Sequence, residues 1–354
     1  MRKLLAKIGL SAIVMIAVLT SSTTTEACTR VVYKGPNGTI ITARSMDFSM
    51  EIPANLWQFP RGMQREGKTG QNTVKWTSKY GSIVTSSWDI AVSDGMNEKG
   101  LNANMLWLNN SKYPAFEKDS NTKGLAVSLW AQYALDNFAT VKEAVEQFKK
   151  EEFVIVTDYI PGTDKYTTIH LSLSDPSGDN AILEYINGKL VINHDPSYTV
   201  MTNDPTFEEQ LAINEYWKEI PGKIFLPGTN KAADRFVRAS YYIDAIPQTD
   251  NTRVALASVF SVIRNCSVPY GISTEGFPNL STTRWRIVAD QKNLVYYFED
   301  ALSPNAVWVD LRKIDFSEKT GKVKKLSLDK QQVYAGETSG EFMDSKPLVF
   351  QGIR

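Results

Sequence analysis

The first 28 residues constrain this chain more than any other part of its sequence. Three basic residues precede an apolar run at positions 8–19, and small, mostly polar residues follow as far as Ala27. This three-part order is typical of a secretory signal peptide that is cut after Ala27. The apolar run is shorter than the roughly 20 residues needed to span a bilayer. We therefore predict that residues 1–27 are removed and that the protein is exported, either to the periplasm or out of the cell.

Cleavage after Ala27 would make Cys28 the first residue of the mature chain, and three interpretations of this cysteine remain open. It could form a disulfide with Cys266, the other cysteine of the sequence, as exported proteins often do. It could carry a lipid anchor, although Thr25 and Glu26 fit that processing signal poorly. It could also be a nucleophile whose own α-amine, with a pKa near 7.7–8.0, takes the proton of a thiol with a pKa near 8.5.

The composition excludes several other classes of function. The mature chain has a net charge of −2, which gives no electrostatic footprint for nucleic acid or an anionic membrane. The sequence contains two histidines, His170 and His194, and its cysteines lie far apart. A zinc site is therefore not expected, and we predict neither a metal nor a cofactor. No later stretch is apolar enough to span a membrane, so residues 28–354 are predicted to form one soluble domain.

The hydrophobic periodicity predicts strands at both ends of the chain, with helices between and after them. Sheets covered by helices in one α+β domain would satisfy this order. The predicted strands are 29–34 and 39–48 joined by a turn, a strand–turn–strand unit over 82–108 with its bend at 97–100, a three-strand meander over 166–193, and 284–290, 293–301 and 305–314. The predicted helices are 124–138, 140–150, 206–217, 230–246 and 253–263.

Five stretches of the sequence together resemble the choloylglycine hydrolase family, and the likeness runs from Cys28 nearly to the C-terminus. They are the "CTR" that begins at Cys28, "ARSMDF" (43–48), "DGMNEKGLNANMLWL" (94–108), "MTNDPTF" (201–207) and "LPGTNKAADRFVRASYY" (226–242). This family contains the penicillin V acylases and the conjugated bile salt hydrolases, which are N-terminal nucleophile hydrolases of linear, non-peptide amides.

The resemblance carries expectations for the whole molecule. It implies a four-layer αββα sandwich, a small-molecule amide as substrate, no cofactor, and a homotetramer. The leader and Trp107 are most similar to the Gram-negative branch of penicillin V acylases.

The resemblance also implies roles for residues near the N-terminus. Cys28 would be the nucleophile, Arg44 would favour its thiolate, and Asp47 would accept a hydrogen bond from the α-amine. Residues 44 and 47 are an odd number apart, so a regular strand would place them on opposite faces. Since the family has both at the site, we predict a break in the strand near Met46. Without the resemblance, a surface ion pair between Arg44 and Asp47 would be the better interpretation.

The remaining predicted site residues come from later motifs. Asn203 and the backbone N–H of Trp107 would stabilise the oxyanion, Arg235 would support the transition-state charge or hold Asp47, and Phe48 would line the acyl pocket. Three of these residues have a simpler alternative: Asn203 as a turn residue, Trp107 as core packing, and Arg235 as a solvated helix charge.

Trp107 also bears on the substrate. Many bile salt hydrolases have asparagine at the matching position, and some acylases have tyrosine. Tryptophan favours a flat aromatic group, so the first hypothesis is an amidase for penicillin V-like and N-acyl (acyl-homoserine lactone) amides. The alternatives are a conjugated bile salt hydrolase and a non-catalytic lipoprotein anchored at Cys28.

Overall fold

The computed structural model describes residues 27–118, 121–220, 222, 224–272, 281–328 and 333–353. The predicted signal peptide therefore lies outside the described residues, except for Ala27. The described residues form twenty strands and five α-helices. The strands are β1 (Thr29–Gly35), β2 (Thr39–Phe48), β3 (Leu56–Phe59), β4 (Gln64–Glu66), β5 (Lys75–Thr77), β6 (Ser82–Ser87), β7 (Ala91–Asn97), β8 (Asn102–Trp107), β9 (Gly124–Ala126), β10 (Val154–Val156), β11 (Ile169–Ser174), β12 (Asn180–Ile186), β13 (Lys189–His194), β14 (Val200–Met201), β15 (Thr282–Asp290), β16 (Val295–Asp300), β17 (Ala306–Asp310), β18 (Val323–Leu326), β19 (Gly336–Glu337) and β20 (Met343–Ser345). The helices are α1 (Trp130–Asn137), α2 (Val141–Phe148), α3 (Phe207–Lys218), α4 (Ala232–Ala245) and α5 (Thr252–Asn265).

Two large sheets form the centre of the molecule. The first has the strand order β14-β1-β2-β15-β16-β17-β19, and the second has the order β13-β12-β11-β8-β7-β6-β3-β18-β20. Helices α4 and α5 contact β1 and β2 of the first sheet, and α1 contacts β7 and β8 of the second. Ile83 and Met96 of the second sheet belong to the same hydrophobic cluster as the first sheet, whereas their neighbour Val84 packs with α1. The predicted four-layer αββα arrangement is confirmed.

The hairpin that begins the chain follows directly from local sequence. Pro36 starts a short turn in which Asn37 and Gly38 have positive φ, and these residue types tolerate that conformation. The turn sets a register in which Thr29 pairs with Ser45. Because Cys28 precedes Thr29, this register brings it opposite the end of β2.

Two predicted elements differ from the observed ones. The segment 82–108 forms three strands rather than two, since a second turn separates β6 from β7. In that turn Trp88 and Asp89 both have a φ of 51°, and tryptophan gives no sequence signal for such a conformation. The predicted helix 124–138 begins only at Trp130, because Gly124–Ala126 pair as β9 with β10 and Val127–Leu129 form a short 3-10 helix.

The helix that follows the Asn203 motif starts where its cap predicts. The backbone N–H of Thr206 donates to Glu209 Oε2 at 3.0 Å, which is half of a capping box. This cap fixes the chain just after Asn203.

None of the helices in the described ranges is long and apolar enough to cross a membrane.

Gly95 in β7 should not tolerate a side chain. A Cβ atom there would lie 2.7 Å from Val84 Cγ1 and 2.9 Å from both the Ile83 oxygen and Leu135 Cδ1. We expect Gly95→Ala to lower the free energy of unfolding by about 1–3 kcal/mol through overpacking, measured by urea denaturation. Gly228→Ala is the matched control, because its Cβ would meet nothing within 4 Å. Equal stability of the two variants would contradict the close packing of α1 on β7.

Candidate active site

Cys28 lies in the interior, at the start of β1, with 2% of its surface exposed. Its nitrogen is a peptide nitrogen bonded to Ala27, and it marks where the α-amine would lie after cleavage. This N–H donates to Asn203 Oδ1. The Sγ atom lies 3.8 Å from the Asp47 backbone oxygen and 3.9 Å from Arg44 Nη2. The register of the β1–β2 hairpin thus brings three residues predicted to form the site together around the thiol.

The predicted strand break near Met46 is wrong for β2 itself, which continues to Phe48. The irregularity lies in the neighbouring strand, where Arg284 of β15 is an extra residue between the partners of Asp47 and Met46. Regular alternation therefore holds in β2, so the Arg44 and Asp47 side chains point to opposite faces. Arg44 reaches Cys28 with its guanidinium, whereas Asp47 reaches it with its backbone carbonyl.

Arg44 is fully buried, which excludes the surface ion pair. Its guanidinium stacks at 4.5 Å over the ring of Trp285 and donates to the Met105 carbonyl oxygen at 2.8 Å. Burial raises the pKa of the Cys28 thiol, and the charge of Arg44 is the largest effect that lowers it. Because the net direction is upward, the thiol is protonated near neutral pH and needs a base.

The Asp47 carboxylate is held on the face opposite the cavity. Ser45 Oγ donates to its Oδ2 at 3.1 Å, and Thr283 donates to its Oδ1. Burial raises the pKa of Asp47 to about 6, against the lowering effect of the Arg235 charge. The Cys28 N–H donates to Asn203 rather than to Asp47, so the hydrogen bond predicted between Asp47 and the α-amine is not formed in the unprocessed chain.

Asn203 connects the nucleophile to β8. Its Nδ2 donates to the Trp107 carbonyl oxygen at 2.7 Å, while its Oδ1 accepts from Cys28 and Arg235. The N–H of Leu108 donates to Thr168, towards β11. In an extended strand the N–H and C=O of one residue point to the same edge, so the Trp107 N–H faces Asn203. The second Nδ2 hydrogen and this N–H are the two donors predicted for the oxyanion.

Arg235 of α4 is completely buried and is not a solvated helix charge. Its Nη1 donates to the Cys28 carbonyl oxygen at 2.6 Å and to Thr29 Oγ1 at 2.5 Å. Its Nη2 donates to Asn203 Oδ1 at 3.0 Å. The arginine therefore fixes the nucleophile and the predicted oxyanion donor relative to each other.

A cavity of about 100 Å³ opens beside Cys28. Its walls are mostly apolar and aromatic, and the ring of Phe48 lies 6.1 Å from Trp107 and 5.9 Å from Trp88. Sequence reasoning found Phe48 and Trp107 but missed Met46 and Trp88. Alternation along β2 could have found Met46, which shares a face with Arg44 and Phe48. Trp88 comes from the turn that was not predicted.

The other interpretations of the cysteines do not fit this geometry. Cys28 and Cys266 are both free thiols, so the disulfide is absent between them. Burial raises the pKa of Cys266 to about 11. A lipid anchor on Cys28 would have to reach a membrane from inside the protein, because Cys28 is buried. Within the described ranges, no group of three histidine, cysteine, aspartate or glutamate side chains is placed to hold a metal ion.

Two facing sheets between helical layers, with a buried cysteine at the start of the first strand, define a hydrolase of the N-terminal nucleophile type. The chain belongs to the choloylglycine hydrolase family of linear amide C–N hydrolases, whose pattern matches residues 28–325. It is therefore an enzyme that hydrolyses linear amides.

Its relatives include proteins of two named activities. The penicillin V acylase of Pectobacterium atrosepticum is 48% identical, over 97% of this chain and 96% of that protein. The solved structure of the penicillin V acylase from Agrobacterium tumefaciens has a TM-score of 0.86 and 55% identity, covering 92% of this chain and 100% of that chain. The bile salt hydrolase/transferase of Clostridium perfringens is 26% identical, over 81% of this chain and 93% of that protein.

The charge of Arg44 should control the reactivity of the Cys28 thiol. Because Arg44 lowers the thiol pKa, Arg44→Gln should raise it, and Arg44→Lys should keep most of the effect. The rate of iodoacetamide alkylation below the thiol pKa should fall about tenfold for each unit by which that pKa rises. The measurement is the pH profile of alkylation in the processed protein, with the melting temperature as a folding control. A folded Arg44→Gln protein with the wild-type profile would contradict this role.

Proposed function

We propose that the protein is an exported N-terminal-cysteine amidase that cleaves N-acyl amides with a flat, apolar acyl group, of the penicillin V type. The observation that carries this proposal is the position of Cys28, which lies beside Asn203 and a cavity walled by Phe48, Trp88 and Trp107. The names of the two penicillin V acylases reported above support the choice of acyl group. N-acyl homoserine lactones belong to the same class of substrate.

The first half-reaction forms an acyl-enzyme. The α-amine of processed Cys28, held by Asn203 Oδ1, takes the thiol proton while Sγ attacks the amide carbonyl carbon. The oxygen that becomes negative is bound by Asn203 Nδ2 and the Trp107 N–H, and losing one such donor costs about 3–4 kcal/mol of transition-state stabilisation. The C–N bond then breaks, and the α-ammonium returns its proton to the leaving amine.

The second half-reaction releases the acid. The α-amine takes a proton from water, and the hydroxide attacks the thioester carbonyl in the same oxyanion site. The C–S bond breaks, and the thiolate recovers the proton from the α-ammonium. Arg44 stabilises this thiolate as a leaving group, since its Nη2 lies 3.9 Å from Sγ.

Removal of residues 1–27 is part of the proposal, because the peptide nitrogen of unprocessed Cys28 has no basic lone pair. Export to the periplasm or beyond, and assembly into a homotetramer, are proposed with it. An intact mass that corresponds to residues 28–354 would support the processing step. A mass that retains the leader in an active enzyme would contradict it. Light scattering of the same sample tests the tetramer.

The two cysteines should differ sharply in their effect on turnover. We expect Cys28→Ala to lower kcat by about 10⁴-fold or more, as removal of a nucleophile does, with an unchanged fold by circular dichroism. Cys266→Ala is the matched control and should retain most of the activity, since Cys266 is a buried thiol outside the cavity. The measurement is amine release from penicillin V. An active Cys28→Ala enzyme would rule out the thioester mechanism.

A conjugated bile salt is the competing substrate, favoured by the relative from Clostridium perfringens. The aromatic walls of the cavity favour the phenoxyacetyl group over a steroid. We expect kcat/KM for penicillin V to exceed that for a glycine-conjugated bile salt by about tenfold or more, because each apolar contact shifts selectivity by about 1–3 kcal/mol. A side-by-side assay of amine release measures this ratio. A higher kcat/KM for the bile salt would show that a bile salt is the preferred substrate. The amidase mechanism would not be affected.

A further inference from the structure

Two buried arginines lie directly opposite each other in the first hairpin. Arg30 of β1 pairs with Arg44 of β2, and the side chains of such a pair lie on the same face of the sheet. Both arginines are completely buried. Like charges directly opposite each other are destabilising, and a buried charge is costly unless it is paired. The two guanidinium groups therefore require a counter-ion.

Both side chains extend across to the second sheet, where their hydrogen-bond acceptors are neutral. Arg30 Nη2 donates to Asn180 Oδ1 of β12 at 2.6 Å, and Arg44 Nη2 donates to the Met105 carbonyl oxygen of β8 at 2.8 Å. Among the described residues, the Nε atoms of both arginines and Nη1 of Arg44 have no hydrogen-bond partner. These neutral contacts leave the two positive charges unbalanced.

Asp94 of β7 is the carboxylate that faces the two arginines. It is completely buried, and Asn104 Nδ2 donates to its Oδ2 at 2.6 Å. Tyr296 of the first sheet donates to its Oδ1 at 2.8 Å, so the carboxylate lies between the two sheets. Burial raises the pKa of Asp94 to about 6, and the charge of Arg44 is the largest effect that lowers it. Burial lowers the pKa of Arg30, and the charge of Asp94 opposes this change.

The groups around Asp94 leave it as the shared counter-ion. Arg30, Arg44 and Tyr296 are the titratable groups that face it, from β1, β2 and β16. Its register partners in β6 and β8 are Thr85 and Asn104, which carry no charge. Asp94 therefore supplies the negative charge that interacts with both arginines above about pH 6.

Arg44 connects Asp94 to the nucleophile. Burial raises the pKa of the Cys28 thiol, the charges of Arg44 and Arg235 lower it, and the charge of Asp47 raises it. The effect of Arg44 depends on the position of its guanidinium, whose Nη2 lies 3.9 Å from Sγ. Repulsion by the guanidinium of its hairpin partner opposes this position. A carboxylate on the facing sheet attracts both groups and offsets the repulsion.

We propose that Asp94 is a positioning residue of the active site, whose carboxylate is the shared counter-ion of Arg30 and Arg44 and keeps the Arg44 guanidinium beside Cys28 Sγ. The inference rests on the proposed role of Cys28 as the nucleophile and adds a residue outside the cavity walls. Asp94 acts through Arg44 and takes no part in bond breaking.

The test is the pH profile of alkylation of Cys28 by iodoacetamide in the processed protein. Mass spectrometry of the N-terminal peptide separates Cys28 from Cys266, and the melting temperature is the folding control. Asp94→Asn removes the negative charge and keeps the shape of the side chain. The double variant Asp94→Asn, Arg30→Gln removes the carboxylate together with the arginine that repels Arg44.

Asp136→Asn is the matched control. Asp136 is also a completely buried carboxylate, and its Oδ2 lies 2.8 Å from Nε of Arg65. It belongs to α1, which covers the face of the second sheet opposite the nucleophile. Its replacement should lower the melting temperature and leave the alkylation profile of Cys28 unchanged.

We expect Asp94→Asn to raise the thiol pKa, because Arg44 is then no longer held beside Sγ. Alkylation below the thiol pKa should become about threefold slower, which corresponds to about half a pKa unit. The double variant Asp94→Asn, Arg30→Gln should return towards the wild-type rate. In an Arg44→Gln background, Asp94→Asn should have little further effect, because residues that act through one another are not additive.

Two results would overturn the inference. A folded Asp94→Asn protein with the wild-type profile would make Asp94 a structural residue only. Faster alkylation of Asp94→Asn would show that the carboxylate acts on the thiol directly. If Asp94→Asn does not fold, Tyr296→Phe removes one hydrogen bond to the carboxylate and should also slow alkylation, and an unchanged profile of that variant has the same meaning.

The readout does not depend on turnover, so this inference and the proposed function can fail separately. If the protein hydrolyses no N-acyl amide but the alkylation profile shifts as expected, the proposed function fails and the role of Asp94 stands. If the enzyme is active and the profile of Asp94→Asn is unchanged, only the role of Asp94 fails.

Discussion

The buried guanidinium of Arg235 is the interaction on which the site depends. It donates to the Cys28 carbonyl, to Thr29 and to Asn203, and so joins α4, β1 and the loop before α3. Burying an arginine is costly unless its donors are satisfied, and here the reactive residues themselves supply the acceptors. The hydrogen bonds that satisfy the buried charge therefore also position Cys28. A change at Arg235 would disturb both the Cys28 backbone and the oxyanion donor.

Burial also explains why the proposed mechanism uses the α-amine as the base for the thiol. The environment that shapes the cavity raises the pKa of Cys28, and Arg44 only partly opposes this effect. A buried thiol without a base would stay protonated and weakly nucleophilic. As long as Ala27 is attached, the nearest nitrogen is an amide that cannot accept a proton. In the proposed mechanism, peptide cleavage activates the site by a chemical change at one atom, and this step requires no rearrangement of the sheets.

The sequence predicted those parts of the site whose geometry is local. The turn at Asn37 and Gly38 sets the β1–β2 register, and the cap at Thr206 fixes the end of the Asn203 loop. The pairing of β2 with β15 was not accessible, because the extra residue Arg284 lies more than 230 positions away from β2. The positive φ of Trp88 was missed for a related reason. That turn is held by tertiary contacts, including the hydrogen bond from Trp88 Nε1 to the Glu51 carbonyl at 3.1 Å.

Regular alternation in β2 places a charged residue near Cys28 and an aromatic wall of the cavity on one strand. Because the strand is unbroken, Arg44, Met46 and Phe48 share one face. Arg44 lies beside the thiol, whereas Phe48, two pleats further along the strand, lines the cavity. A break at Met46 would have brought the Asp47 side chain into the cavity and turned Phe48 away from it. The bulge therefore had to lie in β15 for one strand to provide both the charge beside the nucleophile and the aromatic wall.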